Sequence, residues 1–203
     1  MDAGRRLRMV REKRQRYEII LASNSPRRKE LLSGLDIDYV IKTLPGIDES
    51  YPEGLQKEEI PVYIARKKAL AYQTSLHENS LLITADTIVW LDGKAYGKPQ
   101  DEQEAKEMLR ALSGRTHEVL TGVCLADKEK EKTFCAVSKV KFAALDDEEI
   151  DYYIDRYKPY DKAGSYGVQE WIGYIGVESI EGSFYNVMGL PVRMLYKELK
   201  DWQ

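Results

Sequence analysis

Apolar positions recur along this chain with two alternating periods, and the alternation predicts its elements. Tyr17–Ser23 (YEIILAS) reads as a short strand; Asn24-Ser25-Pro26 stops it and opens a helix through Leu32, closed by Gly34. Ser25 suits the N-cap and Pro26 the first helical position. A second helix starting near Pro61 lines up Val62, Ala65, Ala69, Tyr72 and Leu76 at steps of three and four. A third opens at Asp101 with Glu104 three residues on, a capping-box pattern, and stripes Ala105, Met108, Leu109 and Leu112 before Gly114. A fourth opens at Asp146 with Ile150, Tyr153, Ile154 and Tyr157 and ends before Pro159; a last begins at Pro191 with Val192, Leu195, Leu199 and Trp202. Strand runs fill the gaps. Leu81–Leu91 turns at Asp92-Gly93, a two-residue hairpin signal. Glu118–Ala126 and Thr133–Ala143 flank the charged linker Asp127–Lys132 as a second hairpin, and the glycines in Glu170–Ser183 suggest a twisted or bulged ribbon. Helices alternating with hairpins predict an α/β fold whose sheet is mixed and twisted, with flanking helices.

Composition narrows the class. The chain has 203 residues, enough for one domain or two small lobes, with 43% hydrophobic and 32% charged residues, a soluble globular balance. Two cysteines are too few for a disulfide scaffold and two histidines too few for a His-rich zinc site. Asp86 interrupts the longest apolar run, so no segment reaches the roughly 20 residues of a bilayer span. These features predict a soluble, cytoplasmic globular protein with no membrane span. The net charge of −3 offers nucleic acid no bulk attraction, but it is unevenly spread. Residues 1–16 carry seven basic and two acidic side chains, a net of +5, which leaves −8 on the other 187. That arm has no apolar core for a signal peptide and reads as a disordered extension, although a basic arm can also bind RNA or anionic lipid.

Certain residues break the local rules. Asp86 sits inside Leu82-Ile83-Thr84-Ala85-Asp86-Thr87-Ile88-Val89, where a carboxylate is a poor strand former and is costly to bury unless paired or metal-bound. It is a candidate general base or metal ligand; an edge-strand Asp satisfied by a nearby turn is the plainer alternative. Arg27 and Arg28 oppose the dipole of the helix they open, and an anion at that N-terminus would supply their missing rationale. On the second helix Lys68 lies about 80° from the stripe centre, at roughly 100° per residue, so it can reach over a cleft, whereas Lys67 points to solvent. Lys98 lies on the tight loop Tyr96-Gly97-Lys98-Pro99. His77 and His117 lack metal-ligand spacing and read as structural. Cys124 and Cys135 can face each other across a hairpin as free thiols. There is no Walker loop and no GxGxxG; spacing leaves a Ser–His–Asp triad open, though no nucleophile elbow is present.

Taken together, LASNSPRRKELL (21–32), PGIDES (45–50), IARKKA (64–69), ITADTIV (83–89), GKPQDEQEAKEMLRALSGRTHEVLTGV (97–123), KAGSYGVQ (162–169) and EGSFYNVMGLPV (181–192) resemble the Maf family of nucleoside-triphosphate pyrophosphatases. They run in family order and cover most of the chain from Tyr17 onward, which sets the expected domain at residues 17–203 and leaves the arm outside. The resemblance implies an α/β fold related to inosine-triphosphate pyrophosphatases, two lobes around a cleft, and often a homodimer. It implies hydrolysis of a nucleoside triphosphate to the monophosphate and pyrophosphate with a divalent cation, Mg²⁺ or Mn²⁺. By that resemblance Asp86 is the catalytic Asp; Arg27, Thr87 and Gln169 take the specificity positions; Ser23, Arg28, Lys68 and Lys98 take the phosphate-binding positions. Glu49 takes the acidic cleft position, so that Asp86 and Glu49 are the candidates to support a metal. Ser165-Tyr166-Gly167-Val168-Gln169 resembles the branch acting on dTTP and UTP, normal or modified, rather than 7-methyl-GTP. Glu170-Trp171 departs from the glycine-rich pair expected after that Gln, which opens the base pocket to change. The competing expectation is a non-catalytic regulator of cell division, or an RNA-associated protein using its basic arm.

Overall fold

The computed structural model describes residues 17–202; the basic arm over 1–16 lies outside the described residues. The chain runs β1 (Glu18–Leu21), α1 (Pro26–Ser33), β2 (Val40–Ile41), α2 (Glu59–Tyr72), β3 (Ser80–Leu91), β4 (Lys94–Tyr96), α3 (Glu102–Leu112), β5 (Thr116–Ala126), β6 (Glu131–Phe142), α4 (Asp147–Tyr157), α5 (Trp171–Gly176), β7 (Val177–Glu181), α6 (Phe184–Met188) and α7 (Val192–Asp201), with 3₁₀ turns at Gln73–Ser75 and Ala163–Ser165. The seven strands form one sheet in the order β2-β1-β3-β5-β6-β7, with β4 also paired to β3. β1 is parallel to both β2 and β3, and the other pairings are antiparallel. The expected mixed α/β sheet with flanking helices is present. Among the described residues, no helix is long and apolar enough to cross a membrane.

Strand alternation divides the core. Ile20 and Leu82 pack against Ala65, Ala69 and Tyr72 of α2, while Ile88 joins Ile60 and Ile64 of the same helix. Leu81, Ile83, Ala85 and Val89 face the other way, into the larger core with α1, α3, α4 and α7. β3 is therefore covered on both faces, which is why its sequence reads as an almost unbroken apolar run. Helix α2 approaches the sheet closely at Gly122, the β5 partner of Asp86. A Cβ there would sit 2.3 Å from the Pro61 carbonyl carbon and 2.4 Å from the Val62 nitrogen.

Several local signals act as read. Ser25 accepts a hydrogen bond from the Arg28 N–H. Asp146 and Glu149 form a complete capping box, whereas at α3 Asp101 caps Glu104 but the Glu104 carboxylate accepts from the Gln100 N–H instead. Asp92 and Gly93 both take positive φ, 51° and 78°, the left-handed pair that a two-residue hairpin requires.

Other expectations change. The ribbon expected over Glu170–Ser183 is instead α5 followed by β7. Its glycines serve packing: a Cβ at Gly173 would lie 1.8 Å from the Val168 carbonyl oxygen, so the helix can seat there only without one. Val62 is half-buried rather than central to its stripe. Lys67 is not simply solvated, because its ammonium lies 2.6 Å from Asp48 and 3.0 Å from the Ser50 carbonyl oxygen. Cys124 and Cys135 are free but do not face each other, since the register sets Cys135 opposite Gly122 and Cys124 opposite Thr133.

His117 is buried, with Nε2 2.7 Å from the Tyr166 hydroxyl and its ring edge-on to Phe142. Burial lowers its pKa from 6.5 to about 4. The unfolded chain then takes up this proton first, so His117 contributes stability above pH 6.5 that is lost as the pH falls toward 4. A shift of this size corresponds to roughly 3 kcal/mol. Urea midpoints at pH 7 and pH 4.5 should show this fall in the wild type and a shallower one in His117→Gln; parallel falls would rule the assignment out.

Candidate active site

The topology opens a cleft beside β3. β5 occupies one edge of that strand from Leu82 to Trp90. On the other edge β1 pairs only with residues 80–83 and β4 only with residues 89–91. Among the described residues, no strand pairs with β3 on that edge between these two segments, and Asp86 lies in the interval. The chain also leaves the carboxyl end of β1 for α1, packed in the larger core, while α2 crosses to β3 over the opposite face. Helices diverging to opposite faces around one parallel strand leave a crevice at its carboxyl end, a recurrent ligand position in α/β sheets. A cavity of about 510 Å³ lies here.

Ser23, Arg27, Arg28, Glu49, Lys68, Asp86, Thr87, Lys98 and Gln169 all line this cavity. Residues scattered over almost 150 positions of sequence thus meet in one place. Asp86 is 7% exposed, and its Oδ1 lies 2.8 Å from Lys68 Nζ. The same ammonium lies 2.9 Å from Glu49 Oε1, and Lys98 Nζ lies 3.3 Å from Glu49 Oε2. Two carboxylates and two ammonium groups therefore form one alternating chain. Burial alone would raise the Glu49 pKa, but Lys68 and Lys98 outweigh it and hold the carboxyl below its usual range.

Alternation along β3 sends Thr87 to the opposite face from Asp86. There its hydroxyl lies 3.1 Å from an Arg28 terminal nitrogen and 3.0 Å from Thr121 Oγ1, while Arg28 Nε donates to the Gly189 carbonyl at 2.8 Å. Burial pulls the Arg28 guanidinium below its ordinary pKa against the opposing field of Asp86. Arg27 is held by Asp161, with one terminal nitrogen 2.8 Å from Oδ2 and the other 3.2 Å from the backbone carbonyl. The two arginines that oppose their helix dipole are thus held by tertiary partners, with their side chains on the cavity wall. Ser23 Oγ accepts from the Ser25 N–H at 3.2 Å. Gln169 Oε1 is buried without a hydrogen-bond partner among the described residues.

Sequence reasoning missed Asp161, Lys162 and the Gly189 carbonyl as parts of this wall. Lys162 heads the quoted 162–169 stretch, and its own composition carries no sign that it is buried.

Residues 18–202 match the family described as Maf-like protein. A dTTP/UTP pyrophosphatase of Bacteroides fragilis is 66% identical over 185 residues, 91% of this chain and 96% of that protein. A dTTP/UTP pyrophosphatase of Porphyromonas gingivalis is 60% identical over 190 residues, covering 93% and 96% respectively. Among solved structures, a HAM1 protein from Coxiella burnetii aligns with a TM-score of 0.49 and 19% identity, covering 91% of this chain and 99% of that one. With the family match running from β1 to the last described residue, this chain belongs to the Maf family.

Proposed function

We propose that this protein hydrolyses dTTP and UTP to the monophosphate and pyrophosphate. The observation that carries the reading is the Asp86–Lys68–Glu49–Lys98 chain in a cleft that Arg28 also enters. That arrangement combines a proton acceptor with fixed positive charge suited to a polyphosphate. The relatives of 60–66% identity named dTTP/UTP pyrophosphatase support the choice of nucleotide.

In this reading Asp86 takes a proton from a water that attacks the α-phosphorus. A new P–O bond forms, the bond to the α–β bridging oxygen breaks, and pyrophosphate leaves with that electron pair. Arg28, Lys68 and Lys98 offset the charge that gathers on the leaving group, and Ser23 and the first turn of α1 hold the triphosphate chain. Arg27, Thr87 and Gln169 select the base. The unpaired Gln169 Oε1 and its neighbouring NH₂ can meet the N3–H and an adjacent carbonyl of uracil or thymine.

A divalent cation belongs to the same proposal. Among the described residues no group of three or more His, Cys, Asp or Glu side chains could hold a metal by itself. Asp86 and Glu49, brought together on one ammonium, offer an all-oxygen pair, which fits Mg²⁺ or Mn²⁺ held by one or two carboxylates plus substrate phosphates. Such an ion would neutralise charge on the triphosphate.

Pyrophosphate release from dTTP, UTP, CTP, GTP and 7-methyl-GTP, with Mg²⁺, Mn²⁺ or EDTA, tests the reading. We expect metal-dependent release led by dTTP and UTP; no release from any of them would overturn it. Gln169→Ala should weaken UTP turnover about tenfold more than GTP turnover, the scale of one well-placed hydrogen bond. Equal losses would remove Gln169 from base selection. A cytoplasmic homodimer completes the proposal. Tyr152, Tyr174 and Tyr185 are more than half exposed, aromatic surface that a second copy could cover, and light scattering would report it.

A further inference from the structure

The residue after Gln169 does more than end the motif. Residues 167–170 form a tight turn closed by the Glu170 N–H donating to the Gly167 carbonyl at 2.9 Å, with Gln169 at its third position. Both ends of the turn converge on one phenol. The Gly167 N–H donates to the Tyr153 hydroxyl at 3.0 Å, and that hydroxyl donates to Glu170 Oε2. The Glu170 carboxyl folds back so closely over Gly167 that a Cβ there would lie 2.8 Å from its carbon. Glu170 Oε1 lies 3.1 Å from the Lys162 ammonium, and Lys162 is only 7% exposed. Lys162 Nζ also lies 2.8 Å from Asp161 Oδ1, and Asp161 Oδ2 holds Arg27. Burial would raise the Asp161 pKa, but hydrogen bonds from Lys162 and Arg27 outweigh it and hold it at about 2.

A continuous chain, Arg27–Asp161–Lys162–Glu170–Tyr153–Gly167, thus joins Arg27 to the turn that carries Gln169, both residues assigned to base selection. Lys162 is buried between two carboxylates, so removing Glu170 leaves its ammonium short of a partner, and the chain favours a single arrangement. We infer that Glu170 is a positioning residue for base selectivity: it locks the 167–170 turn against Tyr153 and Lys162, so that the Gln169 amide meets the base in one fixed place. This rests on the dTTP/UTP reading above and assigns its selectivity to a residue outside the contacting set. Glu170 and the phosphate-side groups Lys68, Lys98 and Asp86 share none of the contacts described, so loosening the turn should act on the base and spare the triphosphate.

The test compares kcat and KM for UTP, dTTP, CTP and GTP, and inhibition by inorganic tripolyphosphate, in the wild type, Glu170→Ala, Glu170→Gln and Tyr153→Phe. In Glu170→Ala the UTP KM should rise about tenfold relative to the GTP KM, with kcat changed less than about threefold and tripolyphosphate inhibition unchanged. Glu170→Gln, which keeps the length and one acceptor, should restore part of the preference. Tyr153→Phe removes one hydroxyl from an intact ring and should shift selectivity in the same direction, even should Glu170→Ala fail to fold. A selective wild type whose Glu170→Ala and Tyr153→Phe proteins keep full selectivity, or lose activity equally on all four nucleotides, overturns this inference alone. A wild type with no pyrimidine preference overturns the dTTP/UTP reading and this inference with it.

Discussion

Asp86→Asn should leave a folded protein that still binds nucleotide and releases pyrophosphate from dTTP about 10³-fold more slowly, within the range that loss of a positioned base produces. The change keeps the size of the side chain and removes its charge and basicity. Removing one partner of a buried ion pair usually destabilises a protein by leaving the other charge uncompensated. Here Lys68 keeps Glu49 at 2.9 Å and can still donate to the amide oxygen at position 86, so the effect on stability should be small. Triphosphate binding has Arg28 and Lys98 as well as Lys68 to draw on. Turnover, nucleotide binding and thermal melting measured on one preparation separate these effects. A folded Asp86→Asn protein within about tenfold of wild-type turnover would remove Asp86 from the reaction.

Gly122→Ala should produce a large loss of stability, about 3 kcal/mol or more, at the upper end of overpacking changes. Its Cβ would meet backbone atoms of Pro61 and Val62 at 2.3–2.5 Å, and backbone cannot rotate away as a flexible side chain can. Relief requires α2 to move off the sheet. α2 also carries Lys68, and Thr84 Oγ1 ties the strand to the helix through the Ala65 carbonyl at 2.6 Å. Activity in Gly122→Ala should therefore fall beyond what the folded fraction accounts for. Denaturant melts report the first effect, and turnover per folded molecule the second. A fully active variant with a wild-type midpoint would show that the helix has slack at this point.

The residues nearest these two positions show where sequence reading succeeds and where it stops. Asp86 is conspicuous in isolation, because a carboxylate in an apolar strand conflicts with its neighbours whatever the fold. Gly122 lies in an ordinary strand run, and nothing in THEVLTGVCLA separates a glycine that admits a helix from one that merely weakens a strand. The arginines were legible as an anomaly, since both oppose the dipole of their own helix. Their actual partners, Asp161, Thr87 and the Gly189 carbonyl, lie 59–161 residues away and were not. The short elements β2, α5 and α6 have two to six residues each, too few for a hydrophobic period to show.

The sequence by itself determined the alternation of helices and strands, the caps and hairpin turns, the family, and the residue types available for chemistry. These rest on interactions within a few positions, or on motifs that stay in order along the chain. Only the tertiary structure decided that β1 and β4 leave a gap beside Asp86, that one ammonium bridges Asp86 and Glu49, and that Glu170 is tied through Lys162 and Asp161 to Arg27. Strand order and helix face set those contacts, and both follow from how the whole core packs rather than from any local stretch of residues.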